Sequence, residues 1–341
     1  MRLIESIQYN YDLQRAVKNI DLSMLKDKKV LVTGGLGLIG STIVDVLICF
    51  GKVDIFVAAR DYEQFKRRFG NLKRVNFIKY DALKDLDFSV IPDYLIHCAG
   101  IASPELYLKM PVETMLSNFH GVHSLLEFSR VNNVRRTVYI SSSEIYGKSN
   151  LNSPFTEDIY GTINGDDIRS SYGIAKKASE MLCKSYSVEY GVETIVVRPG
   201  HIFGPSAKAT DKRIVSEFTY KAAKGETIVL KSAGLQQRSY CYSVDSAIQI
   251  LFALLKGKSG ESYNISHDNI TTIKKMAEIC AKAGNVALIH KQPEGLEINS
   301  FNPMDNSALN NYKLKQLGYK DTFSVEEGLY HTINILKEIL E

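Results

Sequence analysis

The sequence predicts an α/β protein, a doubly wound parallel sheet with helices on both faces and a smaller C-terminal α/β lobe. Three observations carry this. Short apolar runs alternate with longer helical patterns. Most of the runs are continuously apolar, as strands covered on both faces must be. A glycine-rich turn joins the first run to the first helix. The candidate strands are Val30–Val32, Ile55–Ala59, Val75–Tyr80, Tyr94–Ala99, Thr137–Ser141 and Thr194–Arg198. Between them, Ser41–Phe50, Pro111–Asn132 and Tyr172–Tyr190 read as the helices that parallel crossovers need. After Pro199 the rhythm breaks into shorter elements at Ile228–Lys231 and Ser262–Ile265 and a helix near Thr272–Ala283. Residues 199–341 are therefore expected to form mainly the smaller lobe, returning some chain to the main sheet. Residues 1–27 read as a helical or extended arm.

Composition narrows the class further. At 341 residues and 45% hydrophobic content, the chain can bury a full core in one large or two closely joined domains. A net charge of +4, spread along the chain, is too weak to argue for a nucleic-acid partner. Cys49, Cys98, Cys183, Cys241 and Cys280 are odd in number and widely spaced, which reads as free thiols in a reducing compartment. The most apolar run, Ala247–Leu255, contains Gln249 and falls short of the ~18 residues of a membrane span. Glu5, Asp12 and Gln14 interrupt the N-terminus, so it is neither a signal nor a transit peptide. His120 and His123 lack a carboxylate or thiol at ligand spacing, and no metal is expected. The expectation is a soluble, cytoplasmic protein with no membrane partner.

The run Thr33–Gly34–Gly35–Leu36–Gly37–Leu38–Ile39–Gly40 follows the first strand. Gly34 permits the tight turn, Gly37 admits a pyrophosphate to the backbone, and Gly40 lets the helix pack on the sheet. The free N–H groups of the first helical turn, at Leu38 and Ile39, face the phosphates. This is a Rossmann-type dinucleotide site, which makes residues 28–198 the dinucleotide-binding domain. A tight turn without a ligand is the plainer alternative. At the end of strand two, where an acidic residue would hold the ribose of NAD, stand Ala59, Arg60 and Asp61, with Lys66, Arg67 and Arg68 behind. Arg60 favours NADP; NAD held through Asp61 is the alternative.

Tyr172 and Lys176 lie four residues apart on one helix and share a face. An ammonium beside a phenol stabilises phenolate, so Tyr172 is expected to have a lowered pKa and to exchange a proton with a hydroxyl during hydride transfer. The fifth strand ends in Ser141–Ser142–Ser143–Glu144, where open α/β sheets bind ligands.

With these motifs the chain resembles the extended short-chain dehydrogenases/reductases of the nucleotide-sugar epimerase/dehydratase type, over roughly residues 28–335. Further matches are Asp81–Ala82, His97–Cys98–Ala99–Gly100, Asn118, Arg198–Pro199–Gly200–His201 and Arg238–Ser239–Tyr240. The resemblance implies an NAD(P) cofactor and a nucleotide-diphosphate sugar substrate. It places Asp81 and Ala82 by the adenine, and Ala99, Gly100 and Asn118 along the cofactor. Ser142 takes the catalytic serine position, and Ser143, His201, Arg213 and Arg238 contact substrate, Arg238 at the diphosphate. It also implies a homodimer through the helices Pro111–Asn132 and Tyr172–Tyr190.

Three departures bear on the reaction. Dehydratases of this type carry Asp–Glu after the catalytic residue; Ser143–Glu144 stands here, which looks more like the glucuronate decarboxylase branch, as does Asp211–Lys212–Arg213. His201 replaces an asparagine. No arginine occurs in Phe301–Asn302–Pro303–Met304–Asp305, where many relatives have a second one for the diphosphate. The reading is oxidation and reduction at sugar C4 through Ser142, Tyr172 and Lys176, with Glu144 as base at the adjacent carbon. Epimerase/dehydratase chemistry leads, with decarboxylation or NADPH-dependent 4-ketoreduction as alternatives. A dinucleotide-binding sensor or scaffold is the non-enzyme alternative.

Overall fold

Val30 and Val32 point to one face of the first strand and Leu31 to the other, and all three are fully buried. That two-sided burial is why the run is continuously apolar. The computed structural model describes residues 2–70, 72–149, 153–291 and 306–340. Its first six strands are β1 (Lys29–Thr33), β2 (Asp54–Ala59), β3 (Val75–Lys79), β4 (Tyr94–His97), β5 (Arg136–Ile140) and β6 (Thr194–Pro199). The remaining strands are β7 (His201–Phe203), β8 (Ile228–Leu230), β9 (Gln237–Tyr242), β10 (Ser262–Ile265), β11 (Ile270–Thr272) and β12 (Leu288–His290). Seven of them form one parallel sheet in the order β10-β6-β5-β4-β1-β2-β3. The order reverses between β1 and β4, and it is outside such a switch point that open α/β sheets hold ligands. Three of the six expected strands stop short of their expected C-terminal ends, because Tyr80, Ala99 and Ser141 already belong to the turns that leave the sheet.

Helices α1 (Ile7–Lys18), α2 (Leu38–Phe50), α3 (Tyr62–Phe69), α4 (Pro104–Lys109), α5 (Pro111–Val131) and α6 (Ser170–Tyr190) belong to the first two thirds of the chain. They are followed by α7 (Ile214–Ala223), α8 (Ser243–Lys256), α9 (Ile273–Gly284), α10 (Tyr312–Gln316) and α11 (Val325–Leu340). Helices α5 and α6 pack together over one face of the sheet, where Val122, Leu126, Cys183 and Tyr186 meet Tyr139 and Val196. The other face packs on α2 and α8. The apolar run Ala247–Leu255 is the buried part of α8, and no described helix is long and apolar enough to cross a membrane. Helix α2 begins three residues earlier than its apolar pattern suggests, because Gly37 is its N-cap.

The N-terminal segment is helical and packs into the main core. Ser6 caps α1 by accepting the Tyr9 N–H at 3.1 Å, and Tyr9, Leu13 and Ala16 are buried against α2, α8 and α11. Tyr9 Oη donates to Asp45 of α2 at 2.8 Å. The buried Asp12 carboxylate accepts from Tyr242 Oη at 2.8 Å and lies 3.0 Å from His331 Nδ1. A segment with several polar residues thus joins the main core by pairing them internally. The smaller lobe carries a three-stranded sheet, β11-β9-β7, and a two-stranded one, β12-β8, while β10 returns to the main sheet.

Candidate active site

The glycine turn sits at the switch point. Gly34 has φ +65°, and a Cβ there would lie 2.7 Å from the Ala99 nitrogen. A Cβ on Gly40 would come 2.5 Å from the Gly34 carbonyl oxygen. Both positions therefore require glycine for packing. At Gly37 a Cβ would touch only the Gly34 oxygen, at 3.4 Å, so this side of the turn lies open to a ligand. No side chain caps α2, which leaves the N–H groups of Leu38 and Ile39 directed outward at the positive end of the helix. Gly100 brings the backbone after β4 so close to Asn118 that a Cβ would meet Oδ1 at 2.5 Å. Asn118 donates through Nδ2 to Thr114 at 2.8 Å and Ile101 at 3.3 Å, while its buried Oδ1 has no partner.

These residues line one edge. Asp81 follows β3, Arg60 follows β2, Gly34 follows β1, Ala99 follows β4 and Ser142 lies just past β5. Four strand spacings of ~4.8 Å make this edge about 19 Å long, the reach of an extended dinucleotide. The open Gly37 turn and the orphan acceptor of Asn118 fit such a ligand. Arg60 is exposed, whereas Asp61 is committed as the N-cap of α3, accepting the Gln64 N–H at 2.8 Å. Arg68 turns away to the buried Asp45 carboxylate. Asp81 accepts the Leu83 N–H at 3.1 Å, and Ala82 packs under Gly121 of α5.

At the far end of the edge, Ser142 caps the short turn Ser143–Tyr146, its Oγ accepting the Glu144 N–H at 3.2 Å. The Ser142 hydroxyl lies near the Tyr172 phenol and favours its ionised form. Burial pushes the Tyr172 pKa well above the ordinary phenol range; the Ser142 hydroxyl pulls it back, and the Glu144 charge adds to the rise. The expectation of a lowered phenol pKa is thus overturned for the protein by itself. Lys176 Nζ donates to the Ile140 carbonyl at 2.7 Å and lies 5.8 Å from the Tyr172 ring centroid. Its charge is tied to the β5 backbone, and burial lowers its own pKa to about 8.

A buried network holds these pieces in register. Ser141 Oγ donates to Glu180 of α6 at 2.5 Å, and Arg198 clasps the same carboxylate with bonds of 2.7–3.1 Å. Arg198 also donates to Tyr146 Oη at 3.0 Å, which donates to Asn264 Oδ1 at 2.6 Å. The serine turn, the tyrosine helix and strand β10 are thereby one unit. Behind Lys176, His97 Nδ1 lies 2.7 Å from Thr33 Oγ1, and burial lowers its pKa to about 3, so the ring is neutral.

The Glu144 charge helps raise the pKa of both the Tyr172 and Tyr107 phenols, and its carboxylate lies 3.5 Å from Arg169. Arg213 is close enough to favour the Tyr172 phenolate, but its guanidinium is held by Asp211 through contacts of 2.5–3.0 Å. Arg238 is buried in the smaller lobe and donates to the Gln237 carbonyl at 2.8 Å. His201 directs Nε2 to Ser307 Oγ at 2.8 Å, and burial together with Arg238 and Arg213 lowers its pKa to about 3. It is a neutral internal contact with that nitrogen already engaged. Ser143 is half-buried at the start of the turn. Residues Phe301–Asp305 lie outside the described residues. Sequence reasoning missed Tyr107 and Arg169, whose places by the phenol come from segments far from Ser142 in the chain. Among the described residues no group of three metal-ligating side chains comes together.

A dinucleotide cradle leading to a Ser–Tyr–Lys set defines an extended short-chain dehydrogenase/reductase. Residues 30–266 match the model of the NAD dependent epimerase/dehydratase family, and the chain belongs to that family. It is accordingly an NAD-dependent enzyme of the nucleotide-sugar-modifying group. It is 32% identical over 254 residues to UDP-glucuronic acid decarboxylase 6 of Arabidopsis thaliana, covering 73% of this chain and 72% of that one. It is 27% identical to UDP-N-acetyl-alpha-D-glucosaminuronate decarboxylase of Bacillus cytotoxicus, covering 92% and 98%. The crystal structure of UDP-glucose 4-epimerase from Thermotoga maritima with UDP-glucose aligns with a TM-score of 0.78 at 27% identity, covering 92% and 100%.

Proposed function

We propose that the chain oxidises C4 of a nucleotide-linked sugar, acts on the neighbouring carbon and then returns the hydride. The observation that carries this is the buried Tyr172 phenol with Ser142 and Glu144, from one short turn, near it and Lys176 Nζ 5.8 Å from its ring centroid. NAD, when bound, supplies the hydride acceptor and a cationic ring that favours phenolate. Tyr172 takes the C4 hydroxyl proton, Ser142 holds the oxygen, and Lys176 adds positive charge to the pocket. The resulting C4 carbonyl acidifies C3–H and C5–H, and Glu144 is the base at hand. Where C5 carries a carboxylate, the carbonyl also accepts the electron pair of the C5–C6 bond as carbon dioxide leaves, and C5 is then reprotonated. The two decarboxylases named above, and the absence of an acid directly after Ser142, favour this decarboxylating form. Epimerisation beside the ketone is the second reading, favoured by the same carboxylate.

In D₂O, substrate or product is expected to gain deuterium at C3 or C5, detected by NMR. Glu144→Gln, nearly isosteric, should abolish that exchange while nicotinamide is still reduced. An absence of deuterium in the wild-type reaction overturns the base role and leaves C4 epimerisation or ketoreduction.

Arg60 is proposed to clasp the 2′-phosphate when NADP binds in place of NAD, since Asp61 is engaged as a helix cap. Arg60→Ala should weaken NADP about 10-fold or more, a lost charge-assisted contact, and barely alter NAD. Titration of both coenzymes checks this; an unchanged ratio of dissociation constants assigns the pocket to NAD. The diphosphate is assigned to Arg238 and Arg213. A homodimer is proposed through α5 and α6, where Val112, Leu116, Phe119 and Met181 are exposed.

A further inference from the structure

Helix α1 precedes residues 30–266, the span that matches the family, and the chemistry above gives it no task. It makes two buried polar contacts, one to each half of the protein. Toward the coenzyme half, Tyr9 Oη donates to Asp45 of α2 at 2.8 Å, and Arg68 of α3 pairs with the same carboxylate. Toward the smaller lobe, the fully buried Asp12 carboxylate accepts from Tyr242 Oη at 2.8 Å. Gln8 and His331 each lie 3.0 Å from that carboxylate. Tyr242 is the joint between β9 and α8, the last residue of the strand and the N-cap of the helix. Its seat is tight. The ring meets Phe203 and Phe323 at centroid distances of 5.9 and 5.4 Å, and a Cβ on Gly328 of α11 would lie 2.8 Å from the Tyr242 Cβ. Residues two apart on a strand share a face, so Arg238, Tyr240 and Tyr242 stand in one row on β9. Strand β7 runs beside them in register, His201 opposite Tyr240 and Phe203 opposite Tyr242. Rings join the two strands along this row, His201 to Tyr240 at 5.6 Å and Phe203 to Tyr240 at 6.5 Å. The row has Asp12 at one end and Arg238 at the other, and a close-packed interior transmits a displacement rather than absorbing it.

We infer that Asp12 is a positioning residue for the substrate diphosphate. By holding the Tyr242 hydroxyl it fixes the β9–α8 joint, and with it the place of Arg238 relative to the edge that holds the coenzyme. The inference rests on the reading above that assigns the diphosphate to Arg238. A bond from a hydroxyl to a buried carboxylate is strong and directional; without it the ring is left to its packing contacts. An arginine grips a diphosphate through a rigid planar fork, so misplacement by about an ångström forfeits hydrogen bonds. The two contacts of α1 therefore differ in consequence. Tyr9 joins α2 and not β9, so loss of its hydroxyl costs stability without reaching Arg238.

The test uses the full chain with NAD present. Calorimetry gives dissociation constants for UDP, CDP, GDP and dTDP, and NAD is titrated separately. Tyr242→Phe deletes the hydroxyl and keeps the ring; Asp12→Ala removes the acceptor. Both are expected to weaken whichever nucleoside diphosphate binds by about 10-fold, the worth of a charge-assisted contact, and barely to alter NAD. Asp12→Asn keeps an acceptor oxygen and should recover part of the loss. Tyr9→Phe should leave the diphosphate affinity where it was. Urea midpoints show what each variant loses in stability. Diphosphate affinities that fall in step with those midpoints, Tyr9→Phe included, make α1 a scaffold alone and overturn the inference. So does an unchanged affinity in Tyr242→Phe, or an equal loss of NAD affinity. If Asp12→Ala does not fold, Tyr242→Phe decides, since it removes a single oxygen. The diphosphate reading is checked by Arg238→Lys, which keeps the charge and loses the fork. Binding that weakens in that variant leaves the reading standing whatever Tyr242→Phe does. No binding by the unsubstituted chain, or binding indifferent to Arg238→Lys, overturns the reading and the inference with it.

Discussion

Tyr172→Phe is expected to lose about 10²–10⁴-fold in turnover, the usual worth of a general acid–base group, while folding and cofactor affinity persist. The ring stays, so its stacking on Tyr107 is kept. What disappears is the hydroxyl proposed to take the C4 proton. Steady-state rates on a sugar-nucleotide panel, beside NAD titration of both proteins, check this. A variant within a few-fold of wild type assigns the proton transfer elsewhere. Ser142→Ala should show a smaller loss, because it removes the hydroxyl proposed to hold the substrate oxygen and leaves the phenol itself.

The largest effect on stability is expected from Arg198. Its guanidinium and the Glu180 carboxylate are 11% and 10% exposed, and four hydrogen bonds converge on that carboxylate, one from Ser141 and three from Arg198. Arg198→Leu strands a buried carboxylate, which typically costs about 3–5 kcal/mol. Urea unfolding with the slope held common gives the value from the midpoint shift. The double variant Arg198→Leu/Glu180→Leu should recover much of the loss, since the penalty lies in the uncompensated charge. If the single variant shifts the midpoint negligibly, Glu180 is solvated and the network is not a structural unit. Because the same carboxylate holds Ser141, the turnover number should fall together with stability.

The main sheet was legible because its signals are local. Val30–Val32 is apolar throughout and is followed by the glycine turn, and neither observation needs a distant partner. Tyr172 and Lys176 likewise share a helix face by spacing alone. Where the amine points is another matter: Lys176 turns to the Ile140 carbonyl, a strand that sequence spacing does not place. The phenol's raised pKa has the same origin, because burial depends on what covers the ring. His201 was placed by its motif, but its partner through Nε2, Ser307, lies 106 residues away and could not be read from spacing. Tyr107, 65 residues before the Tyr172 it stacks on, was invisible for the same reason. The N-terminal segment read as an arm because it precedes the first strand, and nothing local to it shows that Asp12 is fully buried by partners far along the chain.

Those partners impose an order in time. Tyr242 lies 230 residues beyond Asp12, and His331 lies 319 residues beyond it. At about 5–20 residues per second of synthesis, the carboxylate waits about 15–60 s for the last of them. Docked any sooner, it would be desolvated without its full set of donors, which costs free energy. Helix α1 is therefore made early and seated late, and the surface of α2 that it covers stays open meanwhile. A ribosome-bound or truncated chain holding the complete nucleotide cradle would still show that apolar surface to chaperones and proteases. Only when α11 arrives does the first helix find its place.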